Sequence, residues 1–145
     1  MTSLRPPSSS GPASTTPPRC DVTRAAIRRA WTRIAAHVRI TPCLDVSTGG
    51  HSLTLKLECL QVSGTFKARG AFNRLLANPI PGAGVVAASG GNHGIAIAHA
   101  ARTLGVAASI FVPSVSAPAK RARLAALGAQ VRVAGEQYAD ALAAA

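Results

Sequence analysis

The sequence predicts an α/β fold in which a parallel sheet is flanked by helices. Three observations predict it: strand-like and helix-like segments alternate four times, their connections are short, and 48% of the 145 residues are hydrophobic, which is enough for a core. Only 3% are aromatic, so the core must consist of Ala, Val, Leu and Ile, which suit closely packed helices and strands. Such strands pair in parallel through right-handed crossovers.

The first ordered element is expected to be a helix. Residues 1–20 are rich in Ser, Thr and Pro and nearly free of large apolar groups, so we expect a disordered tail there. From Asp21, which can cap a helix, apolar residues recur at helical spacing as far as Val38. One domain is therefore expected over residues 21–145, with its N-terminal helix at about 21–38 and strand–helix repeats at about 52–145.

Alternating patterns and turn residues predict the remaining elements. Pro79 stops one helix, Asn92 is expected to cap the next, and Gly105 to end it. Pro118 begins a further helix, and Gly128 follows its end. The strands are predicted over 52–58, 85–88, 109–112 and 130–133, and the helices over 66–78, 93–104, 118–127 and from 137 onward.

Charge and cysteine content narrow the class of protein. The net charge of +11 is compatible with nucleic-acid binding, but seven arginines precede Ile40 and no basic run is interleaved with aromatics, so we expect no nucleic-acid partner. Cys20, Cys43 and Cys59 are odd in number and widely spaced, which is typical of free thiols in a reducing cytoplasm. No apolar run reaches a membrane span. A nucleic-acid-binding module and an N-terminal transit peptide stay open as alternatives.

The run from Ser63 to Ala71 is a small-residue turn that leads into a helix with Lys67 in its first turn. Lysine is scarce here, with three against thirteen arginines. At the mouth of a crevice, burial and the positive helix terminus would disfavour the ammonium form and leave an amine that attacks carbonyls. The alternatives are a solvated helix lysine and, for Phe66, ordinary core packing.

A second run, from Gly90 to Gly94, opens the helix that follows the strand at 85–88. Backbone N–H groups at a helix start are unpaired, so this loop suits a carboxylate or a phosphate, although a plain tight turn is the alternative. Because the carboxyl ends of parallel strands meet at one edge, the loops at 63–67 and 89–93 are expected to face one crevice. His93 and His99 point to different faces of the helix, so we predict no metal site.

The run Phe66 to Ala71 followed by Ser89 to Gly94 resembles the paired signature of the threonine/serine dehydratase (threonine ammonia-lyase) group. This group belongs to the tryptophan-synthase-β-like, fold type II pyridoxal-phosphate enzymes. The likeness runs from roughly Asp21 to the C-terminus. It implies the N-terminal part of that fold, pyridoxal 5'-phosphate as cofactor, and conversion of L-threonine or L-serine to a 2-oxo acid and ammonia. The implied partner is a small amino-acid substrate, and a homo-oligomer is left open.

The resemblance also implies roles for single residues. Lys67 would form the Schiff base with the cofactor aldehyde and later remove the substrate α-proton, while Phe66 would pack against the pyridine ring. Asn92 would hydrogen-bond the ring hydroxyl. The loop that holds the substrate carboxylate would consist of Ser89, Gly91, Asn92 and His93.

Three positions depart from related patterns. Thr65 keeps the hydroxyl of the serine often found there, and Ala68 stands where the cysteine-synthase and threonine-synthase branches have Asp. Gly90 replaces the second serine of the racemase branch, which favours elimination over racemisation. The resemblance further implies that the phosphate-binding loop, the pyridine-nitrogen partner and most of the second domain lie outside these 145 residues. We therefore expect an incomplete catalyst, with a non-catalytic α/β fragment and a serine racemase as alternatives.

Overall fold

The computed structural model describes residues 22–145, so the predicted tail, Cys20 and Asp21 lie outside the described residues. None of the helices in this range has the length and apolar character needed to cross a membrane. The elements in chain order are α1 Arg24–Ile34, β1 Cys43–Thr48, β2 His51–Lys56, a 3₁₀ turn Glu58–Leu60, α2 Lys67–Ala77, β3 Val85–Ala88, α3 Asn92–Thr103, β4 Ala108–Val112, α4 Pro118–Ala126, β5 Gln130–Val133 and α5 Tyr138–Ala143.

Helix α1 is shorter than the predicted span of 21–38. Its N-cap is Thr23, whose hydroxyl accepts a hydrogen bond from the Ala26 amide at 3.1 Å, and this supplies the cap expected from Asp21. The helix ends at Ile34, and the chain continues to Val38 as turns. Ile34 and Val38 are buried, whereas Trp31 of the predicted apolar face is 40% exposed. Only the C-terminal end of this segment therefore enters the core.

The segment predicted as the first parallel strand belongs instead to a separate hairpin. Strand β2 pairs antiparallel with β1, a strand the sequence analysis missed. The two-residue turn between them consists of Gly49 and Gly50, whose φ angles of 54° and 78° suit the tight hairpin turns that match strand twist. The predicted parallel pairing of residues 52–58 is therefore wrong, because a turn this short can join only antiparallel neighbours.

The predicted parallel sheet is confirmed for the other three strands, in the order β3-β4-β5. Ile110 and Val112 of the central strand are completely buried in one core together with Leu124 of α4 and the small residues of α3. Four alanines of α3 are almost inaccessible, and small side chains let a helix lie close to a sheet. Gly105 and Gly128 follow α3 and α4 in the left-handed conformation, as predicted for helix-ending glycines.

Helix α2 packs against α3, outside the parallel sheet. The key side chain is Phe72, which is completely buried. Its ring stacks on His37 at a centroid distance of 5.1 Å and meets His99 of α3 edge-on at 6.0 Å. This aromatic contact fixes α2 between the end of the α1 segment and α3.

The position of His99 predicts a loss of stability in mild acid. Burial, and then the charges of Arg102 and Arg39, lower its pKa from the ordinary value of 6.5. Well above pH 6.5, His99 is neutral in both the folded and the unfolded protein, so its titration does not change the free energy of unfolding there. As the pH falls below that value the unfolded chain takes up the proton first, so the free energy of unfolding decreases.

We therefore expect the Tm, followed by circular dichroism, to fall less between pH 7 and pH 5 in His99→Gln than in the unmodified protein. His51→Gln on the exposed hairpin is the matched control and should follow the unmodified protein. Equal pH dependence in all three proteins would contradict the prediction.

Candidate active site

Lys67 is the first residue of α2, and its side chain is exposed, so the predicted burial of this amine is wrong. The preceding turn contains Gly64 at a φ of 80°, a conformation that favours glycine. The Lys67 Nζ atom lies 5.0 Å from the centroid of the Phe66 ring, which is itself 59% exposed. The helix start therefore presents an accessible amine beside an accessible aromatic face.

A cavity of about 310 Å³ opens beside this amine, and we call it the lysine pocket. It brings three of the predicted site residues together, namely Phe66, Lys67 and His93. The expected reason, a shared edge of one parallel sheet, is wrong, because Lys67 follows the hairpin and the 3₁₀ turn. The packing of α2 on α3 brings them together instead. The complete lining is Phe66, Lys67, Gly70, Ala71, Arg74, His93 and Ile97.

Two further predicted site residues, Gly91 and Asn92, line a second cavity at the N-terminus of α3, which we call the loop pocket. Gly91 is the N-cap residue of α3 and Asn92 the first helical residue, so the predicted capping role of Asn92 is wrong. Ser89 lines neither pocket, but its hydroxyl accepts a hydrogen bond from the Gly91 amide at 3.3 Å. The loop pocket has a volume of about 390 Å³ and is lined by Gly90, Gly91, Asn92, Ile95, Ala119, Lys120 and Arg123.

Arg74, Lys120 and Arg123 are the basic residues around these pockets that sequence reasoning missed. Lys120 and Arg123 lie three positions apart on α4, which packs against α3, and they line the loop pocket, where the start of α3 adds unpaired N–H groups. Arg74 lines the lysine pocket, so each pocket borders positive groups and suits an anionic ligand. Within residues 22–145, no group of three or more His, Cys, Asp or Glu side chains could hold a metal ion.

Two glycines of the loop differ in the space around them. A Cβ atom at Gly94 would lie 1.9 Å from the Ser89 carbonyl oxygen and 3.3 Å from the Ile110 side chain, so only glycine lets α3 begin this close to the loop. A Cβ atom at Gly90 would lie 2.9 Å from the Ser116 Oγ atom, which can rotate away. Gly94 therefore sets the position of the first turn of α3.

The fold and the two pockets are typical of one class of protein: an α/β enzyme with an accessible lysine amine near a helix start whose unpaired N–H groups suit an anion. The chain belongs to the family described as pyridoxal-phosphate dependent enzymes, whose model matches residues 34–145. This result confirms the resemblance seen in the sequence. It also confirms that the family uses pyridoxal phosphate, the cofactor that the resemblance implied.

Individual relatives agree with this assignment. A phenylserine dehydratase from Ralstonia pickettii is 41% identical over 113 residues, which cover 74% of this chain and 35% of that protein. The threonine deaminase of T.th. has a TM-score of 0.77 at 37% identity, covering 86% of this chain and 41% of that one. Maize serine racemase has a TM-score of 0.75 at 33% identity, with 81% and 38% covered. The chain spans about a third of the length of the curated relatives it matches.

The tight fit at Gly94 predicts opposite effects for two Gly→Ala substitutions. Gly94→Ala should lower the free energy of unfolding by about 1–3 kcal/mol, because the methyl group pushes α3 away from Ser89. Gly70→Ala in α2, where no atom lies within 4 Å of the added Cβ, should raise it by about 0.5–1 kcal/mol through helix propensity. Urea unfolding measures both. Equal effects of the two substitutions would contradict this account of Gly94.

Proposed function

We propose that the protein is a pyridoxal-phosphate-dependent dehydratase, or ammonia-lyase, that converts a hydroxy amino acid such as L-threonine or L-serine to a 2-oxo acid and ammonia. The observation that carries the proposal is the lysine pocket, in which the Lys67 amine opens beside the Phe66 ring and His93. The names of the dehydratase and deaminase relatives support the same reaction class.

The lysine pocket fits the ring and aldehyde end of the cofactor. Gly70 and Ala71 carry small or no side chains, and this leaves space next to the exposed face of Phe66. In this proposal Lys67 would hold the aldehyde carbon through Nζ, and Phe66 would pack against the ring. Asn92, which lines the loop pocket and directly precedes His93 of the lysine pocket, would hydrogen-bond the ring hydroxyl. When bound, pyridoxal phosphate supplies an electron sink for negative charge at the substrate α-carbon.

The start of α3 would hold the substrate carboxylate. The amides of Asn92 and His93 belong to the part of the helix that lacks intrahelical acceptors, and the helix dipole adds positive potential there. The Ser89 hydroxyl, already bonded to the Gly91 amide, fixes the shape of the loop. With the carboxylate held at this point, the substrate amino group would displace Lys67 Nζ from the aldehyde carbon, and the freed amine would accept the α-proton. A proton delivered to the β-hydroxyl would then let it leave as water.

Position 90 supports elimination over racemisation. Gly90 has no side chain to act as an acid or base. A two-base racemase would need a second proton carrier opposite Lys67. Because serine racemases are among the structural relatives, D-serine formation is the competing outcome that an experiment must address.

We also propose that the protein is located in a reducing cytoplasm. Its proposed partner is a small amino-acid substrate, and we expect no nucleic-acid partner. Cys43 and Cys59 are both free and exposed, a state that a reducing compartment maintains. The cations Arg74, Lys120 and Arg123 border pockets of a size suited to small anions.

Cofactor binding can be tested directly on the purified chain. We expect pyridoxal phosphate to produce a visible absorbance band, and borohydride reduction followed by peptide mass spectrometry should locate the adduct on Lys67. Lys67→Ala should abolish both signals, while Lys120→Ala, which removes a lysine outside the lysine pocket, should keep the adduct. Absence of the band, or an undiminished band in Lys67→Ala, would favour a non-catalytic α/β protein that keeps the motifs.

The reaction class can be tested by incubating the pyridoxal-phosphate-treated protein with L-threonine, L-serine or phenylserine. We expect ammonia and the matching 2-oxo acid, with the rate at least about 100-fold lower in Lys67→Ala because the proton acceptor is removed. Chiral chromatography of the serine reaction checks the alternative. Accumulation of D-serine without ammonia would identify racemisation and overturn the dehydratase proposal.

A further inference from the structure

A polar cluster apart from both pockets lies under the start of α2, and we call it the α2 latch. It consists of Arg39, Thr41, Glu58, Gln61 and Arg69, which come from three separate parts of the chain. Thr41 and Gln61 are 4% and 3% exposed. Together with Ser63, in the turn before α2, they are the buried polar residues found among residues 22–145. The buried polar side chains of residues 22–145 therefore lie close to the turn that leads into Lys67.

The centre of the latch is an ion pair between Glu58 and Arg69. The Arg69 guanidinium donates through Nε to Glu58 Oε2 at 2.9 Å and through Nη2 to Oε1 at 2.7 Å. The buried Thr41 hydroxyl donates to the same Oε1 at 2.5 Å. A bidentate, partly buried pair of this kind is stronger and more directional than an exposed ion pair.

Gln61 ties a third part of the chain to the pair. Its Oε1 accepts from the Arg39 amide at 2.8 Å, and its Nε2 donates to the Arg39 carbonyl at 3.0 Å. The same carbonyl also accepts from Arg69 Nη2 at 3.2 Å. The backbone at residue 39 is therefore held by both sides of the cluster, and α2 is joined to it through Arg69.

This arrangement matters for Lys67 because the first turn of α2 is weakly capped. The N-cap residue Phe66 provides no side-chain hydrogen bond, the turn contains no acidic residue, and the Thr65 hydroxyl accepts only a long hydrogen bond from the Lys67 amide, at 3.4 Å. Arg69 lies in the same turn, two residues after Lys67, so its shorter contacts with Glu58 add a second side-chain restraint on that turn. The hydrogen bonds to the Glu58 carboxylate, from Arg69 first, lower its pKa from 4.5 to about 2, so the carboxylate and its ion pair persist in mild acid as well as at neutral pH.

We propose that Glu58 and Arg69 are positioning residues that hold the first turn of α2 so that the Lys67 amine meets a carbonyl in the lysine pocket. This inference rests on the proposed function, since it assigns a purpose to the latch only if Lys67 reacts. Neither residue lines the lysine pocket or the loop pocket. They act through the backbone of α2 and not by contact with a ligand.

The test separates the rate of adduct formation from affinity. Borohydride trapping at Lys67 is measured over a range of pyridoxal phosphate concentrations in the unmodified protein, Glu58→Gln and Glu58→Ala. We expect the maximal trapping rate to fall by about tenfold in Glu58→Gln and further in Glu58→Ala, with a similar half-saturating concentration, because a displaced amine attacks more slowly from the same bound state. An unchanged maximal rate in both variants would overturn the proposal.

Arg33→Ala is the matched control. The Arg33 guanidinium hydrogen-bonds the Asn73 side chain, so it ties the same helix α2 to α1, but more than one turn beyond Lys67. Arg33→Ala should trap pyridoxal phosphate at the unmodified rate even where its Tm falls as much as that of Glu58→Gln. Slower trapping in Arg33→Ala to the same degree would show a general loss of helix stability and would also overturn the proposal.

A second measurement needs no cofactor and therefore distinguishes failure of the latch from failure of the proposed function. The Ala68 and Arg69 amides donate to the Thr65 and Phe66 carbonyls at 3.3 and 3.1 Å, so their hydrogen exchange reports closure of this turn. We expect both amides to exchange about tenfold faster in Glu58→Gln but not in Arg33→Ala. If the unmodified protein traps no cofactor but these amides respond as expected, the proposed function is contradicted and the role of Glu58 and Arg69 in holding the first turn of α2 is supported. If trapping occurs and the amides do not respond, only that role is contradicted.

Discussion

The packing of α2 against α3 is the contact on which the candidate site depends. Neither the hairpin nor the parallel sheet would by itself bring Lys67 close to His93, because the lysine follows the hairpin and the histidine follows a strand of the sheet. Phe72, completely buried and flanked by the rings of His37 and His99, occupies the centre of the α2 packing. The lysine pocket lies between the same two helices, and two of its lining residues, Ala71 and Ile97, belong to the buried core.

Those parts of the fold that depend on local chemistry could be predicted from the sequence. Strands 85–88 and 130–133 are predicted at the observed bounds, because a short apolar run in the first and an alternating polar and apolar pattern in the second each stand between nearby glycines. Gly105 and Gly128 end their helices because the left-handed conformation they adopt is costly for other residues. The paired motifs identified the family because each is a local run of residues, and the family model agrees.

The parts that depend on distant partners could not be predicted. Residues 43–48 form a strand through pairing with β2, and their mixed polar and apolar pattern did not indicate one alone. Lys120 and Arg123 reach the loop pocket only because α4 packs on α3, and helical spacing does not specify the partner of a helix. The predicted burial of Lys67 is wrong for the same reason. That prediction assumed a crevice at the edge of one parallel sheet, whereas the lysine lies on a helix outside that sheet and is exposed.

Acidic and basic side chains are distributed unevenly around the candidate site. The chain has sixteen basic and five acidic residues, and the ion pairs found in residues 22–145 all involve Glu58. That carboxylate is used beneath α2, where it balances Arg69 within a partly buried cluster. The cations at the two pockets have no acidic side chain among the residues lining either cavity. Part of the excess of positive charge seen in the composition therefore lies at these two cavities, where it raises the electrostatic potential for an anionic ligand.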